Sequence, residues 1–254
     1  MRALGRTVAL LLPTLACAAE LPQGDCFKPQ PRTDLSQCDL SHRKLAGRDL
    51  TGVRLAGAKL DNADLRKAKL AGANLSGSSA KWVKFAGADL SGADLRKADL
   101  FHAVFDDAKL ENAQLQYANL FGANLINTRA AGADFSGAYL KDILMEGIDL
   151  SGGSIRGCYA FRGVFTDGKM VGTDLSGADL TGAAMEQVDF SGATLRGTKL
   201  PGATLRQARF EKADLDGADF SNADVWNADF SHTLNRPASA DEAVIELFVV
   251  RERR

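Results

Sequence analysis

The side chains of this 254-residue chain best suited to metal binding or nucleophilic chemistry are His42, His102 and His232, and Cys17, Cys26, Cys38 and Cys158. None of the histidines stands at metal-ligand spacing from a Cys, Asp or Glu, so no zinc-type motif forms. No G-x-S-x-G elbow, phosphate-cradling glycine loop or nucleophile with a positioned base occurs. Acidic residues such as Asp89, Asp94 and Asp99 invite a reading as paired catalytic carboxylates. They recur at a step of five along most of the chain, however, as a structural position does. No catalytic, metal-binding or cofactor-binding residue is assigned, and the chain reads as a non-enzyme with no cofactor.

The elements that position these residues follow from the same step of five. Every fifth residue from Leu35 to Phe230 is apolar, as 24 Leu, eight Phe, three Met, one Ile, one Val and three Ala. Two residues before these 40 centres, Ala stands 23 times. A period of five fits neither the 3.6-residue α-helix nor the 2.0-residue strand, so neither element keeps all these side chains on one face. A short extended side followed by a corner does, with the centre and the small residue two before it pointing inward. Repetition of such a unit predicts a solenoid whose core grows along one axis. Glycines two residues after the centre, as at Gly47, Gly52, Gly57, Gly72, Gly87 and Gly92, mark the corners.

The units AGADL SGADL at 86–95, VGTDL SGADL TGAAM at 171–185 and LDGADF SNADV at 215–225 read as A-(D/N)-L-x-x. In this the chain resembles the pentapeptide repeat family over about four fifths of its length. The resemblance implies an all-β solenoid, a right-handed four-sided parallel β-helix over 33–232. At four pentapeptides per coil it would have about ten coils. The family also includes DNA-mimicking proteins that bind DNA gyrase and confer quinolone resistance.

The ends depart from the repeat. Residues 1–19 read as a signal peptide, with Arg2 and Arg6 ahead of the apolar stretch Val8 to Leu15 and a small-x-small site at Ala16-Cys17-Ala18. This predicts a periplasmic or secreted protein. Thr14-Leu15-Ala16-Cys17 also resembles a lipobox, so a lipoprotein anchored through Cys17 is the alternative. No segment is long and apolar enough for an integral membrane helix. Residues 20–32 form an N-terminal lead-in, which a Cys26–Cys38 disulfide is expected to staple. Cys158 occupies an inward small position and reads as a buried thiol. Residues 233–254 read as a linker and a short C-terminal α-helix. Ser239 and Glu242 form a capping box there, and Val244, Ile245, Leu247, Phe248 and Val249 fall at helical spacing. The helix would cap the solenoid or make a homodimer contact.

Charge is nearly balanced, at −1 for the whole chain, which excludes a basic nucleic-acid footprint. With 20 residues per coil, Asp49, Lys69, Asp89, Lys109, Arg129, Asp149, Lys169, Asp189, Arg209 and Asp229 form a ladder of mostly alternating sign on one side. On the neighbouring side Trp82, Phe101, His102, Phe121, Tyr139, Tyr159, Phe161 and Arg162 gather, with Tyr117 at the preceding corner. These nine residues are the expected binding surface, for an unidentified protein partner. The rival expectations are a gyrase-binding DNA mimic and a saccharide-binding envelope protein. Ile143 and Ile148 replace small inward residues, while Gly153, Gly163 and Gly168 follow. This predicts local repacking that keeps the cross-section filled.

Overall fold

Parallel β-bridges join residues 20 positions apart along four files, beginning at Asp34, Asp39, Lys44 and Asp49. We call these sides 1 to 4. The computed structural model describes residues 20–243. The expected signal peptide over residues 1–19, Cys17 and the apolar residues from Val244 onward lie outside the described residues.

Each pentapeptide places its backbone groups in the same way. The centre donates its N–H to the next coil, as Leu50 does to Lys69 O at 2.8 Å, and its carbonyl accepts the bond that closes the turn, as Leu50 O does from Val53 at 3.1 Å. The second turn residue takes positive φ at every unit from His42 to His232. A negative first φ and a positive second one define a type II turn, which explains the many glycines.

The residue before the centre points outward, and where it is Asp or Asn its side chain in most units accepts the N–H of the first turn residue, as Asp34 and Asp219 do. Asp49 accepts from Thr51 N at 3.1 Å and from Thr51 Oγ1 at 2.7 Å. Asp94 likewise holds the Arg96 N–H at 3.1 Å and its guanidinium at 2.7 Å. These carboxylates therefore close turns. Hydrogen bonds keep some of them below the usual carboxylate range: Thr51 lowers Asp49, and Arg66 brings Asp64 down to about 2.

The centres fill the interior. Leu, Phe, Met and Ile centres from Leu50 to Phe220 are almost entirely buried, and each contributes about 1.5–3 kcal/mol of transfer free energy before entropy is counted. Phenylalanines one coil apart stack directly, Phe85 on Phe105 at 5.0 Å and Phe210 on Phe230 at 4.8 Å between centroids. That is the strand-to-strand spacing of a sheet. The expected repacking is present: a Cβ at Gly163 would meet Ile143 Cγ2 at 3.2 Å, and one at Gly168 would meet Ile148 Cγ2 at 3.5 Å. Each isoleucine thus fills space that the glycine one coil later leaves.

Both ends are covered. At the start, Gln23 pairs with Asp34 in the parallel bridge below side 1, and Cys26 is bonded to Cys38 with a Cα separation of 5.5 Å. Arg43, at an inward position of the first coil, donates to Phe27 O at 3.0 Å and lies over its ring. At the other end a helix begins at residue 238 and seats Ala240 and Ala243 on the last coil. Ser239 differs from the expected capping box. It sits inside the helix, and its hydroxyl accepts the Phe220 N–H at 3.2 Å and donates to Ala218 O at 3.4 Å. The exposed edge of the solenoid needs this hydroxyl more than the helix does, because its N–H groups have no further coil to bond.

Candidate interaction surface

The surface that stands out lies at the corner between sides 2 and 3. There the first turn residues of successive coils are Lys81, Phe101, Phe121, Lys141 and Phe161, and the second are Trp82, His102, Gly122, Asp142 and Arg162. Side 2 itself contributes Tyr139 and Tyr159, which face outward from adjacent bridges.

Winding in steps of 20 brings seven of these rings into one unbroken chain of contacts. Trp82 stacks on His102 at 4.3 Å and 9°, Phe101 on Phe121 at 5.4 Å and 6°, and Tyr139 on Tyr159 at 5.5 Å and 17°. Phe121 joins Tyr139, and Tyr159 joins Phe161, each at 6.2 Å. Trp82 and Phe101 meet edge to face at 5.7 Å. Stacked and edge-to-face pairs of this kind each add about 0.5–1.5 kcal/mol beyond burial. Trp82 remains 50% exposed and Tyr139 40%, so the file is ordered yet open.

The corner geometry explains which residues are compatible with the wall. His102 takes φ 52° and its ring lies across Gly122, where a Cβ would stand 2.5 Å from Cε1 and 2.8 Å from Nδ1. Gly122 therefore makes room for the imidazole. His102 is half-buried in this seat, whereas His42 and His232 are exposed. Arg162 lies 5.4 Å from the Phe161 centroid and pairs with Asp142 at 2.8 Å. Tyr117 stands apart on the opposite corner of side 2, its ring lying over Gly137.

Sequence reasoning missed that the patch continues around the corner. The outward file of side 3 holds Val104, Asn124, Leu144, Val164 and Ala184, and its apolar members are half-buried. Reading the residues before the centres at a step of 20 would have found it. The far corner of side 3 then carries Asp106, Asp107, Glu146, Asp167 and Glu186. Among the described residues none of these five forms an ion pair, although 15 ion pairs occur elsewhere.

The charged ladder of side 4 is formed in part, and it lies opposite the aromatic side 2 and not beside it as expected, because two pentapeptides separate their files. Bridges place its members one above another, and Lys109–Asp89, Lys169–Asp149 and Arg209–Asp189 approach to 3.9, 3.8 and 3.6 Å. Arg129 turns instead to Glu111 at 3.2 Å. Exposed pairs of this kind contribute about 0–1 kcal/mol each. Cys158 is buried and its Sγ lies 2.8 Å from Phe135 O. Burial pushes its thiol up to about 12, which leaves it unsuited to nucleophilic chemistry. Among the described residues no group of three or more His, Cys, Asp or Glu is arranged to hold a metal ion. No helix among them is long and apolar enough to cross a membrane.

The family model described as pentapeptide repeats matches in eight copies, over residues 33–70, 49–85, 81–116, 113–152, 164–197 and 198–234. The chain belongs to the pentapeptide repeat family. Members of this family fold as right-handed quadrilateral β-helices, in agreement with the four files of bridges. Among solved structures the chain is similar to HetL, a pentapeptide repeat protein involved in heterocyst differentiation regulation from the cyanobacterium Nostoc sp. strain PCC 7120. Identity is 30%, over 76% of this chain and 90% of that one, with a TM-score of 0.45. It is also similar to a trypsin-treated form of QnrB1, a plasmid-mediated fluoroquinolone resistance protein, at 20% identity over 80% of this chain and 96% of that one, TM-score 0.42. A pentapeptide repeat protein from the Arabidopsis thaliana thylakoid lumen is 39% identical over 39% of this chain and 66% of that one, TM-score 0.24. No curated protein matches the chain.

Proposed function

We propose that this pentapeptide repeat protein is an exported, non-enzymatic scaffold of about ten coils that binds a protein partner through the corner between sides 2 and 3. The observation that carries this reading is the chain of seven rings in mutual contact, from Trp82 to Phe161, left open on the outside of a rod that has no need of them for its core. Exposed apolar patches of this extent mark interfaces, and Trp, Tyr and Arg anchor them. The Cys26–Cys38 disulfide supports a destination where thiols are oxidised.

The saccharide reading loses its footing in the ring geometry. Phe101 and Phe121, like Tyr139 and Tyr159, lie within 6–17° of parallel and spend faces on each other. Those faces are covered by the neighbouring ring, whereas a sugar stacks on a free ring face. The gyrase-binding alternative draws on the carboxylates from Asp106 to Glu186. They occupy a single corner, while side 4 alternates in sign, so the negative potential does not wrap the rod as a duplex mimic needs.

The test replaces Trp82, Phe121 and Tyr159 together by Ser. The variant should keep its β-helix circular dichroism and lose the partner that the unaltered protein retains from an envelope extract. Retention of that partner would remove the aromatic corner from consideration. Inhibition of gyrase supercoiling by the unaltered protein would establish the alternative instead.

A further inference from the structure

Resting on the reading above, we infer that the partner presents an amphipathic α-helix, cationic along one border, which lies along side 3 parallel to the rod axis. Three adjacent files meet on this side. The aromatic corner with Phe101, Phe121 and Phe161 borders it on one flank, the half-buried Val104, Leu144 and Val164 run along its middle, and Glu146, Asp167 and Glu186 border the other flank. All three extend along the same middle coils.

The repeat distance selects the kind of element. Side-chain steps along the file follow the strand spacing of about 4.8 Å, so Val104 to Ala184 spans about 19 Å. A helix laid along the file offers a new side chain of its apolar stripe every turn of about 5.4 Å, and drifts out of register by only about 2–3 Å over four steps. An extended strand presents same-face residues about 6.6–6.8 Å apart and drifts by about 8 Å over the same distance. Apolar side chains of a helix therefore meet Val104, Leu144 and Val164 in turn, and a strand's do not.

Charge fixes the orientation of that helix about its axis. Asp106, Asp107, Glu146, Asp167 and Glu186 are bound to no Lys or Arg among the described residues. Beside these middle coils the cations of the neighbouring side 4 are engaged: Lys109, Lys169 and Arg209 pair with acids of their own file, and Arg129 pairs with Glu111. The opposite corner differs in sign, carrying Lys141 over the Phe121 ring and the Arg162–Asp142 pair. A helix seated on side 3 with basic residues toward the carboxylates satisfies both borders, and the reverse orientation sets cations against Lys141.

The probes are two fluorescent helical peptides of about 14 residues, a length that matches about 20 Å. They share one Leu and Phe face and carry Lys and Arg, or Glu, along the same border. With the full chain, anisotropy should show the cationic peptide binding about tenfold or more tighter than the acidic one. The Glu146→Gln, Asp167→Asn, Glu186→Gln variant should erase that preference. The Leu144→Ser, Val164→Ser variant should abolish binding, with circular dichroism showing the fold intact in each. Equal binding of both peptides, binding of neither, or indifference to Leu144→Ser and Val164→Ser overturns the inference. A partner that is lost with the Trp82, Phe121 and Tyr159 replacements yet survives both side 3 variants would leave the proposed function standing and remove the helix. Self-association of the chain that is lost in the Leu144→Ser, Val164→Ser variant would assign side 3 to a second copy and likewise overturn the inference.

Discussion

Gly122→Ala tests the architecture of the wall without touching any aromatic residue. Gly122 takes φ 60°, and an added Cβ would fall 2.5 Å from Cε1 of His102. The imidazole is free to swing outward, so the clash itself costs little. What is lost is its stack on Trp82, at 4.3 Å between centroids, worth about 0.5–1.5 kcal/mol. An alanine in the left-handed region adds about 1 kcal/mol relative to glycine. The sum is about 2 kcal/mol, or about 4–8 °C in Tm for a domain of this size. Gly92→Ala is the control: φ is 65° and nothing stands within 4 Å of the new Cβ, so only the backbone cost of about 1 kcal/mol applies. Urea denaturation followed by circular dichroism measures both. In a Trp226→Phe background Trp82 is the one remaining tryptophan, and its emission should shift in Gly122→Ala alone. Equal destabilisation by the two substitutions, with unchanged Trp82 emission, would refute the account of Gly122 as the seat of a stacked His102.

Three further outcomes follow from the same geometry. Replacing Cys26 and Cys38 by Ser should cost about 3 kcal/mol on the chain-entropy model for a sequence separation of 12, and trypsin should then cleave first after Arg32, since Pro29 protects the bond after Lys28. Asp49 and Asp64 are held below the ordinary carboxylate range by bonds to Thr51 and Arg66, Asp64 at about 2. Their stabilisation is complete above about pH 4, the unfolded value, and is lost as pH falls toward 2, so Asp64→Asn should lessen the decline of urea midpoint across that window. Cys158, buried and raised to about 12, should react with Ellman's reagent at the rate of unfolding, and a rapid native reaction would contradict its burial.

The fold was legible because the sequence states it 40 times. Leu, Phe and Ala at fixed offsets dictate which side chains face inward, and Asp at the next offset dictates which close turns, as Thr51 on Asp49 illustrates. The wall was legible only after a second number was supplied. Phe101 and Phe121 are neighbours because one coil takes 20 residues, and a step of five says nothing about how many units close a coil. Ser239 was misread for a different reason: its local pattern with Glu242 matches a helix cap, whereas a bare Phe220 N–H in the last coil competes for the same hydroxyl. That competitor is 19 residues away and invisible to local reasoning.

Two periods therefore carry two kinds of information in one chain. Substitutions that keep the five-residue pattern leave the rod intact, so the outward positions are free to vary at the step of 20 without cost to the core. Val104, Leu144 and Val164 show the consequence: each sits at the offset where Asp89, Asp94 or Asp99 closes a turn, and each forgoes that carboxylate. On side 3 those residues leave Phe105, Met145 and Phe165 just as buried as the centres elsewhere. Restoring Asp at 104, 144 and 164 should therefore preserve the β-helix, and would return turn-closing acceptors to side 3 at the first-turn N–H groups of Asp106, Glu146 and Thr166. If the triple variant is at least as stable as the unaltered protein and no longer holds its partner, the apolar file is kept for binding. If it unfolds, the file belongs to the packing of the rod, and the interface must be sought on the aromatic corner alone.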